Sequence, residues 1–284
     1  MRPRAEPKRA DLLNRAPWLD RPEVHVVVDD MEGSRFEPDP DVSYWFERVN
    51  VANVDFSRGR FGWYRHGEFG GSFWAAGSEF VDCDFTKVRF DNGAFGQWQQ
   101  SFYRRCPFDG AEIWSRQRRS SISLGNARFE RCSFDGAKVR MWRADQAEFI
   151  GCSFATLVDR CQFYGRPAAE PTPPRRRNEF RDNDFSGGEL LDTVFRSGID
   201  IDAQRWPSEG YVRLDNPRSR IEHARAHLAD VPIDFRRVIE IELQLLEFEA
   251  TSQDVLLWRR DVPGSNLPRE GAELLWRLLG VSGA

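Results

Sequence analysis

The five cysteines are the first candidates for chemistry in this chain, because thiols can bind metal ions, form disulfides or act as nucleophiles. They are Cys83, Cys106, Cys132, Cys152 and Cys161. An odd number of cysteines at these spacings does not fit a disulfide scaffold. Cys132 and Cys152 share the phrase Cys-Ser-Phe twenty residues apart, which indicates a repeated structural position. A free cysteine behaves as a small hydrophobic residue, so we predict that all five pack in a core and that the chain binds no metal.

Other catalytic or metal-ligating patterns are weak. His223 and His227 would share one helix face, but zinc needs further ligands and the His-Glu-x-x-His pattern is absent. Acid pairs such as Asp82 and Asp84 alternate along an extended stretch, and solvation explains them. The chain also lacks the Gly-x-Ser-x-Gly, P-loop and Gly-x-Gly-x-x-Gly motifs. We therefore predict that the protein is not an enzyme and uses no cofactor.

Two arginine clusters are candidates for contact with a partner. They lie in segments 114–126 and 164–177, where the repeat described below is interrupted. Insertions into a repeat form loops, and such loops often carry recognition residues. Guanidinium groups could contact an acidic protein or a phosphate, although loop solubility is the simpler explanation. The candidate partner-binding residues are Arg116, Arg118, Arg119, Arg175, Arg176 and Arg177.

Overall charge and terminal sequence indicate the setting in which these residues act. The formal net charge is −4, which is typical neither of a nucleic-acid-binding protein nor of a strongly acidic decoy. Direct nucleic-acid binding through the arginine loops is therefore the weaker expectation. The N-terminal segment lacks the apolar region of a secretory signal, and no run of about 18 apolar residues could span a membrane. We expect a cytoplasmic protein with reduced thiols and no membrane association.

Large apolar residues recur every five positions along most of the chain. Phe129, Phe134 and Val139 are five apart, and Phe149 and Phe154 follow the first two by twenty residues. A strand repeats every two residues and a helix about every 3.6, so neither explains this period. One large and one small inward residue per five indicate a chain that turns a corner every five residues. Four corners close a coil of about twenty residues, and stacked coils pair strand on strand.

The unit WRADQ interrupts this series. It occupies the fourth side of the coil that contains Phe129, and Ala144 stands where a large apolar centre is expected. Trp142 occupies the preceding position, which is small in most other units. We predict that the Trp142 ring points inward and fills the space that Ala144 leaves.

These repeats carry a resemblance to a known family. The phrases SFDGA, DFTKV, DFSGG and FERCSFDGA resemble the pentapeptide repeat family, across about 150 residues of this chain. The resemblance implies an all-β fold, a right-handed quadrilateral β-helix solenoid, here followed by a helical C-terminal region. The chain departs from the family pattern in two ways: phenylalanine replaces the usual leucine at most centres, and aspartate or asparagine precedes the centre only in some units.

Three regions are predicted. Residues 1–44 form a partly mobile N-terminal extension, residues 45–204 form the β-helix with inserted loops, and residues 205–284 form a helical cap. Helical patterns cover 219–231, 234–260 and 269–280, although 238–246 also alternates as a strand would. Val238, Ile241, Leu245 and Phe248 follow one helix face. The apolar residues exceed what one thin layer needs, so we expect the cap to form a homodimer.

Two functions remain open at this stage. The first is a non-enzymatic rigid scaffold that binds an unidentified protein partner through loops and faces of the β-helix. The alternative is implied by the family resemblance: a DNA-mimicking protein that binds DNA gyrase or topoisomerase IV and gives quinolone-type antibiotic resistance. The alternative requires a continuous acidic stripe on one face of the rod.

Overall fold

The computed structural model describes residues 24–65, 68–113, 123–261 and 267–281. Residues 24–206 pass in a fixed order through four parallel ladders, which we call sides 1 to 4, and this part of the molecule is the coil stack. After about twenty residues the chain returns to the same side one coil further on, as Phe129 pairing with Phe149 illustrates. The period of five is therefore one side, and the period of twenty is one coil.

Three of the sides are strand ladders. Side 1 consists of β1 (Val24–Val27), β3 (Val42–Glu47), β8 (Ser72–Ala76), β11 (Gly93–Ala94), β16 (Arg143–Ala144), β19 (Gln162–Tyr164) and β22 (Val194–Arg196), with Ser123 bridging β11 to β16. Side 2 consists of β2 (Met31–Glu32), β4 (Asn50–Ala52), β9 (Glu79–Val81), β12 (Ser101–Arg104), β14 (Ala127–Glu130), β17 (Glu148–Ile150) and β20 (Phe180–Arg181). Side 4 consists of β5 (Arg60–Phe61), β10 (Arg89–Phe90), β13 (Glu112–Ile113), β15 (Lys138–Arg140), β18 (Leu157–Asp159) and β21 (Glu189–Leu191).

Side 3 is a ladder of single bridges rather than of strands. Its residues pair in parallel from coil to coil, at Arg35, Asp55, Asp84, Pro107, Ser133, Ser153, Asp184 and Arg205. A separate antiparallel hairpin, β6 (Trp63–Arg65) with β7 (Glu68–Gly70), is inserted between sides 4 and 1.

The corners between sides depend on a left-handed backbone conformation. Arg131, Gly136 and Met141 have φ values of 53°, 64° and 56° at five-residue intervals. Residues other than glycine rarely adopt this region, so its use at Arg131 and Met141 shows that the stacking of the coils outweighs a local preference. The five-residue period therefore has a backbone cause as well as a packing one.

Phenylalanine rings fill the interior of the coil stack. Phe134 lies between Phe108 and Phe154, with ring centroids 5.1 and 5.0 Å away and interplanar angles of 10° and 8°. Phe129 and Phe149 stack in the same way at 5.1 Å. Spacings of this size are those of offset-stacked aromatic pairs, which add to the effect of burial. The predicted stacking of Phe129 on Phe149 and of Phe134 on Phe154 is confirmed.

Trp142 points into the interior, as predicted. Its ring is buried, lies 5.5 Å from Phe134 between centroids, and donates its Nε1 hydrogen to the carbonyl oxygen of Ile113 at 2.9 Å. Ala144 is buried beside it. The indole thus fills the space that the alanine leaves, and its one polar atom has a partner.

All five cysteines are buried and free of disulfides. Each thiol also contacts a backbone carbonyl of the neighbouring coil; Cys132 Sγ, for example, lies 3.3 Å from the oxygen of Tyr103. Ser78 and Thr193 hydroxyls make the equivalent contacts at 2.8 and 2.9 Å. Burial raises the pKa of the Cys161 thiol to about 12. In these units the small inward residue is therefore also a hydrogen-bond donor, which the sequence interpretation missed, whereas Ala127 and Ala147 occupy the position by size alone.

The C-terminal region combines helices with a two-stranded sheet. Its helices are α1 (Pro217–Ala226), α2 (Ile233–Ala250) and α3 (Arg269–Leu278), with a 3₁₀ turn at Leu228–Asp230. Its strands, β23 (Tyr211–Asp215) and β24 (Val255–Arg259), pair antiparallel. The segment 238–246 is helical, which resolves the ambiguity in its pattern.

The helix predicted over 234–260 ends at Ala250, so the prediction is wrong for the residues after Ala250. Val255–Arg259 forms β24 instead, because it pairs over five positions with Tyr211–Asp215 and turns Leu256 into the core. No described helix is long and apolar enough to cross a membrane.

The first coil begins earlier than the sequence suggests. Val24–Val27 pairs in parallel with Val42–Trp45, so strand pairing starts upstream of the boundary predicted at residue 45. Residues 1–23, the rest of the predicted extension, lie outside the described residues. At the other end of the coil stack, the Trp206 ring stacks on Phe185 at 5.0 Å between centroids.

Candidate interaction surface

The Pro-rich insertion folds back along the coil stack. We call residues 165–178 the strap. The carbonyl oxygen of Thr172 accepts a hydrogen bond from the backbone N–H of Gln100 at 3.0 Å, and the carbonyl oxygen of Ala169 accepts one from Gln146 Nε2 at 3.2 Å. The strap is thus held against earlier coils, whereas the sequence predicted a projecting loop.

Arg175 fastens the strap and is not a free binding residue. Its guanidinium contacts Asn126 Oδ1 at 2.7 Å and forms an ion pair with Glu148 at 3.2 Å. Its side chain is only 15% exposed and that of Glu148 2%, and burial lowers the pKa of Arg175. The donors of Arg175 are thus already used inside the molecule, and its predicted contact with a partner stays a prediction.

Arg176 and Arg177 follow Arg175 on the strap and are exposed. Their guanidinium groups form no hydrogen bond or ion pair with the described part of the chain. They are therefore available to a partner and remain candidates. The other three candidates, Arg116, Arg118 and Arg119, lie outside the described residues.

Aspartates on side 3 have a structural task. Asp55, Asp84 and Asp184 each accept a hydrogen bond from the backbone N–H two residues later, at 2.8, 2.7 and 2.9 Å. Hydrogen bonds from Ser57 and Ser186 hold the pKa values of Asp55 and Asp184 below the usual range. A side chain that bonds the backbone in this way stabilises a turn. The aspartate before the apolar centre is therefore a corner-forming residue.

Comparison with family models gives no match, and comparison with curated proteins gives no relative. Solved structures of several proteins show similarity, among them the following three. QnrB1, described as a plasmid-mediated fluoroquinolone resistance protein, is 15% identical over 64% of this chain and 79% of its own, with a TM-score of 0.24. HetL, a pentapeptide repeat protein involved in heterocyst differentiation regulation in the cyanobacterium Nostoc, is 11% identical over 65% and 91%, with a TM-score of 0.20. Rfr23, a pentapeptide repeat protein from the cyanobacterium Cyanothece, is 10% identical over 69% and 99%, with a TM-score of 0.14.

Sides of five residues, coils of about twenty, a phenylalanine column and corner-forming aspartates occur together. The chain thus has the repeat and the coil that the resemblance to the pentapeptide repeat family implies. The expectation drawn from the repeat phrases is thereby confirmed.

Side 2 of the coil stack carries charges of both signs. Arg104 bridges Glu79 of one coil and Glu130 of another. Arg128 contacts the carboxylates of Glu148 at 3.3 Å and Glu179 at 3.1 Å. The acids on this side are therefore interleaved with arginines and neutralised across coils.

Side 4 shows the same alternation. Asp91, a buried acid, accepts hydrogen bonds from Arg60 and Arg89 at 2.7 and 2.9 Å. Glu112 contacts Lys138 at 2.6 Å on the next coil. Neither side 2 nor side 4 thus presents a continuous acidic stripe among the described residues.

Helix α2 exposes an apolar stripe. Ile241, Leu245 and Phe248 are 45%, 48% and 61% exposed. The spacing predicted this face correctly as one helix face, but the core is formed by the opposite one, at Ile239, Leu243 and Leu246. Arg196 covers part of the Phe248 ring, with its guanidinium carbon 5.5 Å from the centroid.

Proposed function

We propose that this pentapeptide repeat protein is a non-enzymatic scaffold that binds a protein partner through the strap, with Arg176 and Arg177 as the contact residues. In this proposal the coil stack is a right-handed quadrilateral β-helix, which supplies a stiff support. The observation that carries the proposal is that the strap is fixed at Thr172 and Arg175, directly beside two exposed guanidinium groups that have no partner among the described residues.

The physical argument concerns conformational cost. A loop that is already held in place loses little conformational freedom on binding, so more of the contact energy appears as affinity. Two adjacent guanidinium groups favour carboxylates, with which they form charge-assisted hydrogen bonds. The expected partner therefore presents an acidic surface to the strap.

The test is capture of partners from the native host by the tagged full chain. A double variant, Arg176→Ala with Arg177→Ala, should lose the specific partner by about tenfold or more in quantitative mass spectrometry, as for the loss of charge-assisted contacts. The matched control replaces Arg58 and Arg131, which are also exposed and unpaired among the described residues. Equal capture by the two double variants would overturn the assignment to the strap. Point substitutions are preferable to deletion, because deletion would also remove the contacts of Arg175 with Glu148.

The alternative proposal is a DNA-mimicking protein that binds DNA gyrase or topoisomerase IV and gives quinolone-type resistance. The alternating ion pairs on sides 2 and 4 oppose it for those two sides, because a duplex mimic needs uncompensated negative charge along its length. We expect gyrase supercoiling to be unchanged by added protein. Inhibition or protection of gyrase at stoichiometric concentrations would instead support the alternative.

We further propose that the protein forms a homodimer through the apolar stripe of α2. The occupant of the stripe would be a second copy of the same helix, related by a two-fold axis between Ile241 and Leu245. In an antiparallel pair, Arg237 near the start of one helix would lie beside Glu247 near the end of the other. Both are exposed, and Glu247 also forms an ion pair with Arg225 of its own chain at 2.7 Å. Such self-complementarity is what a two-fold interface requires.

A further inference from the structure

A cavity of about 350 Å³ lies where the last coils meet the C-terminal region. Its walls come from β21 and β22, from the sheet of β23 and β24, and from α2. They include two acids, Asp192 and Glu242, two aromatic residues, Tyr211 and Trp258, and apolar side chains such as Leu190. This volume is within the range of small-ligand sites, about 300–1,000 Å³.

Glu242 is the unusual residue of this cavity. It is only 5% exposed, and its carboxylate forms no hydrogen bond or ion pair with any described residue. A buried carboxylate without a partner is costly, and burial raises the pKa of Glu242. The group is therefore a strong acceptor that the described part of the chain leaves unused.

Glu249, another buried acid on α2, has the kind of cation partner that Glu242 lacks among the described residues. Glu249, two turns further along α2, is also buried, but Arg196 of the coil stack donates to its carboxylate at 2.7 Å. No cation of the described residues pairs with Glu242 in this way. Arg259 lines the same cavity, yet it already contacts Glu189 at 2.5 Å and Asp261 at 2.7 Å.

The aromatic walls are compatible with a cation. The Tyr211 hydroxyl is held by the backbone of Leu190, whose N–H donates to it at 2.7 Å, so the ring is fixed in place. Aromatic faces attract ammonium groups, most strongly in sites removed from water. Asp192, which is exposed, adds a second negative charge to the lining. Two acids are too few for a metal ion, and the described residues contain no cluster of three potential ligands.

We propose that this cavity binds an alkylammonium group, with the Glu242 carboxylate accepting its hydrogen bonds and the rings of Tyr211 and Trp258 packing against its apolar stem. The ligand chemistry is a primary amine on a flexible hydrocarbon chain. Two sources share it: a free aliphatic amine, or the lysine side chain of a bound protein. The proposal is independent of the function assigned to the strap.

The test is isothermal titration of the full chain with matched small probes. Hexylamine should bind, whereas hexanol and hexanoate, of similar length but without the positive charge, should bind at least about tenfold more weakly, as expected for a charge-assisted contact. Glu242→Gln, which keeps the shape and removes the charge, should weaken hexylamine binding by a similar factor. Glu240→Gln, an exposed acid on the same helix, is the matched control and should bind as the wild type does.

One further variant and one further probe complete the titration. Asp192→Asn changes an exposed residue that cannot disrupt the core, and it should weaken hexylamine binding by a smaller factor. Equal affinities for hexylamine and hexanol, or an unchanged affinity in Glu242→Gln, would overturn the proposal. A blocked lysine, Nα-acetyl-lysine methylamide, distinguishes the sources: binding comparable to hexylamine supports a protein lysine, and binding of hexylamine alone supports a free amine.

Discussion

A cysteine at the small inward position serves two needs of a coil at once. It is compact enough to leave room for the phenylalanine column, and its thiol reaches a carbonyl oxygen of the next coil, as Cys152 does to Phe129 at 3.4 Å. Asn183 meets the same need at 3.0 Å to the oxygen of Phe149. The recurrence of Cys-Ser-Phe therefore reflects packing and hydrogen bonding at one repeated site. The residue with unusual electrostatics is instead Glu242, a buried acid whose pKa is raised by its burial.

Glu242 should make the stability of the protein depend on pH. Its folded-state pKa is raised above the ordinary value of 4.5, so the folded state binds its proton more tightly than the unfolded state does. The stabilisation from this group is complete below about pH 4.5 and is lost as the pH rises through the folded pKa. Glu242→Gln should therefore raise the free energy of unfolding near neutral pH by on the order of 1 kcal/mol, with a smaller gain near pH 5.

Urea unfolding followed by circular dichroism, in the absence of amines, measures this difference. Glu240→Gln is again the control, because the side chain is exposed on the same helix. A gain from Glu242→Gln that is equal at both pH values would show that the carboxylate is not destabilised by its burial.

At the scale of elements, the sides of the coil gain stability only from their neighbours. Most strands of the coil stack contain two to four residues, too few to be stable alone. Their centres form a shared column, and Phe134 contacts rings of the coils on both sides of it. The strap follows the same rule, because Arg175 holds it to coils that precede it in the chain.

Phe134→Ala should lower the free energy of unfolding by about 3–5 kcal/mol, as for other fully buried phenylalanines. The reason is that the ring is completely buried between two coils that cannot close around a cavity. The measurement is guanidinium unfolding at equilibrium. Leu157→Ala, at a 46% exposed position of the same coil stack, should change the value by less than about 0.5 kcal/mol. A loss below about 1 kcal/mol for Phe134→Ala would contradict a tightly packed column.

At the scale of the whole molecule, the C-terminal region covers the end of the coil stack but leaves one of its own helix faces exposed. The C-terminal end of the phenylalanine column is covered by Trp206, Tyr211 and residues of β24. The C-terminal region has its own apolar core, yet it leaves the stripe of α2 uncovered. An exposed apolar stripe on a helix is typical of an association surface.

Ile241→Glu should weaken the proposed homodimer, because it places a charge beside the proposed two-fold axis. Sedimentation velocity should show a dimer for the wild type and a dissociation constant raised by about tenfold or more for the variant. Leu157→Glu introduces the same charge at another exposed apolar position and should leave the dimer intact. A wild-type protein that remains monomeric at about 100 µM, well above the dissociation constant of an ordinary stable dimer, would contradict the proposal.

The sequence by itself determined the coil. The period of five, the echo at twenty, the stacking of Phe129 on Phe149 and the inward Trp142 all follow from which residues can point into a narrow interior, and that information is local. The helical character of 238–246 remained open, because alternation and helical spacing coexist in a short apolar segment.

Only the tertiary structure decided the sites. Arg175 differs from Arg176 and Arg177 because Asn126 and Glu148, distant in sequence, lie within its reach. The stripe of α2 is exposed because the opposite face of the helix packs in the core. The segment β24 is a strand because it pairs with β23. Glu242 has no cation partner among the described residues, because Arg259, which lines the same cavity, is paired with Glu189 and Asp261. Contacts between residues far apart in the chain determine each of these features, and the five-residue repeat in the sequence does not predict such contacts.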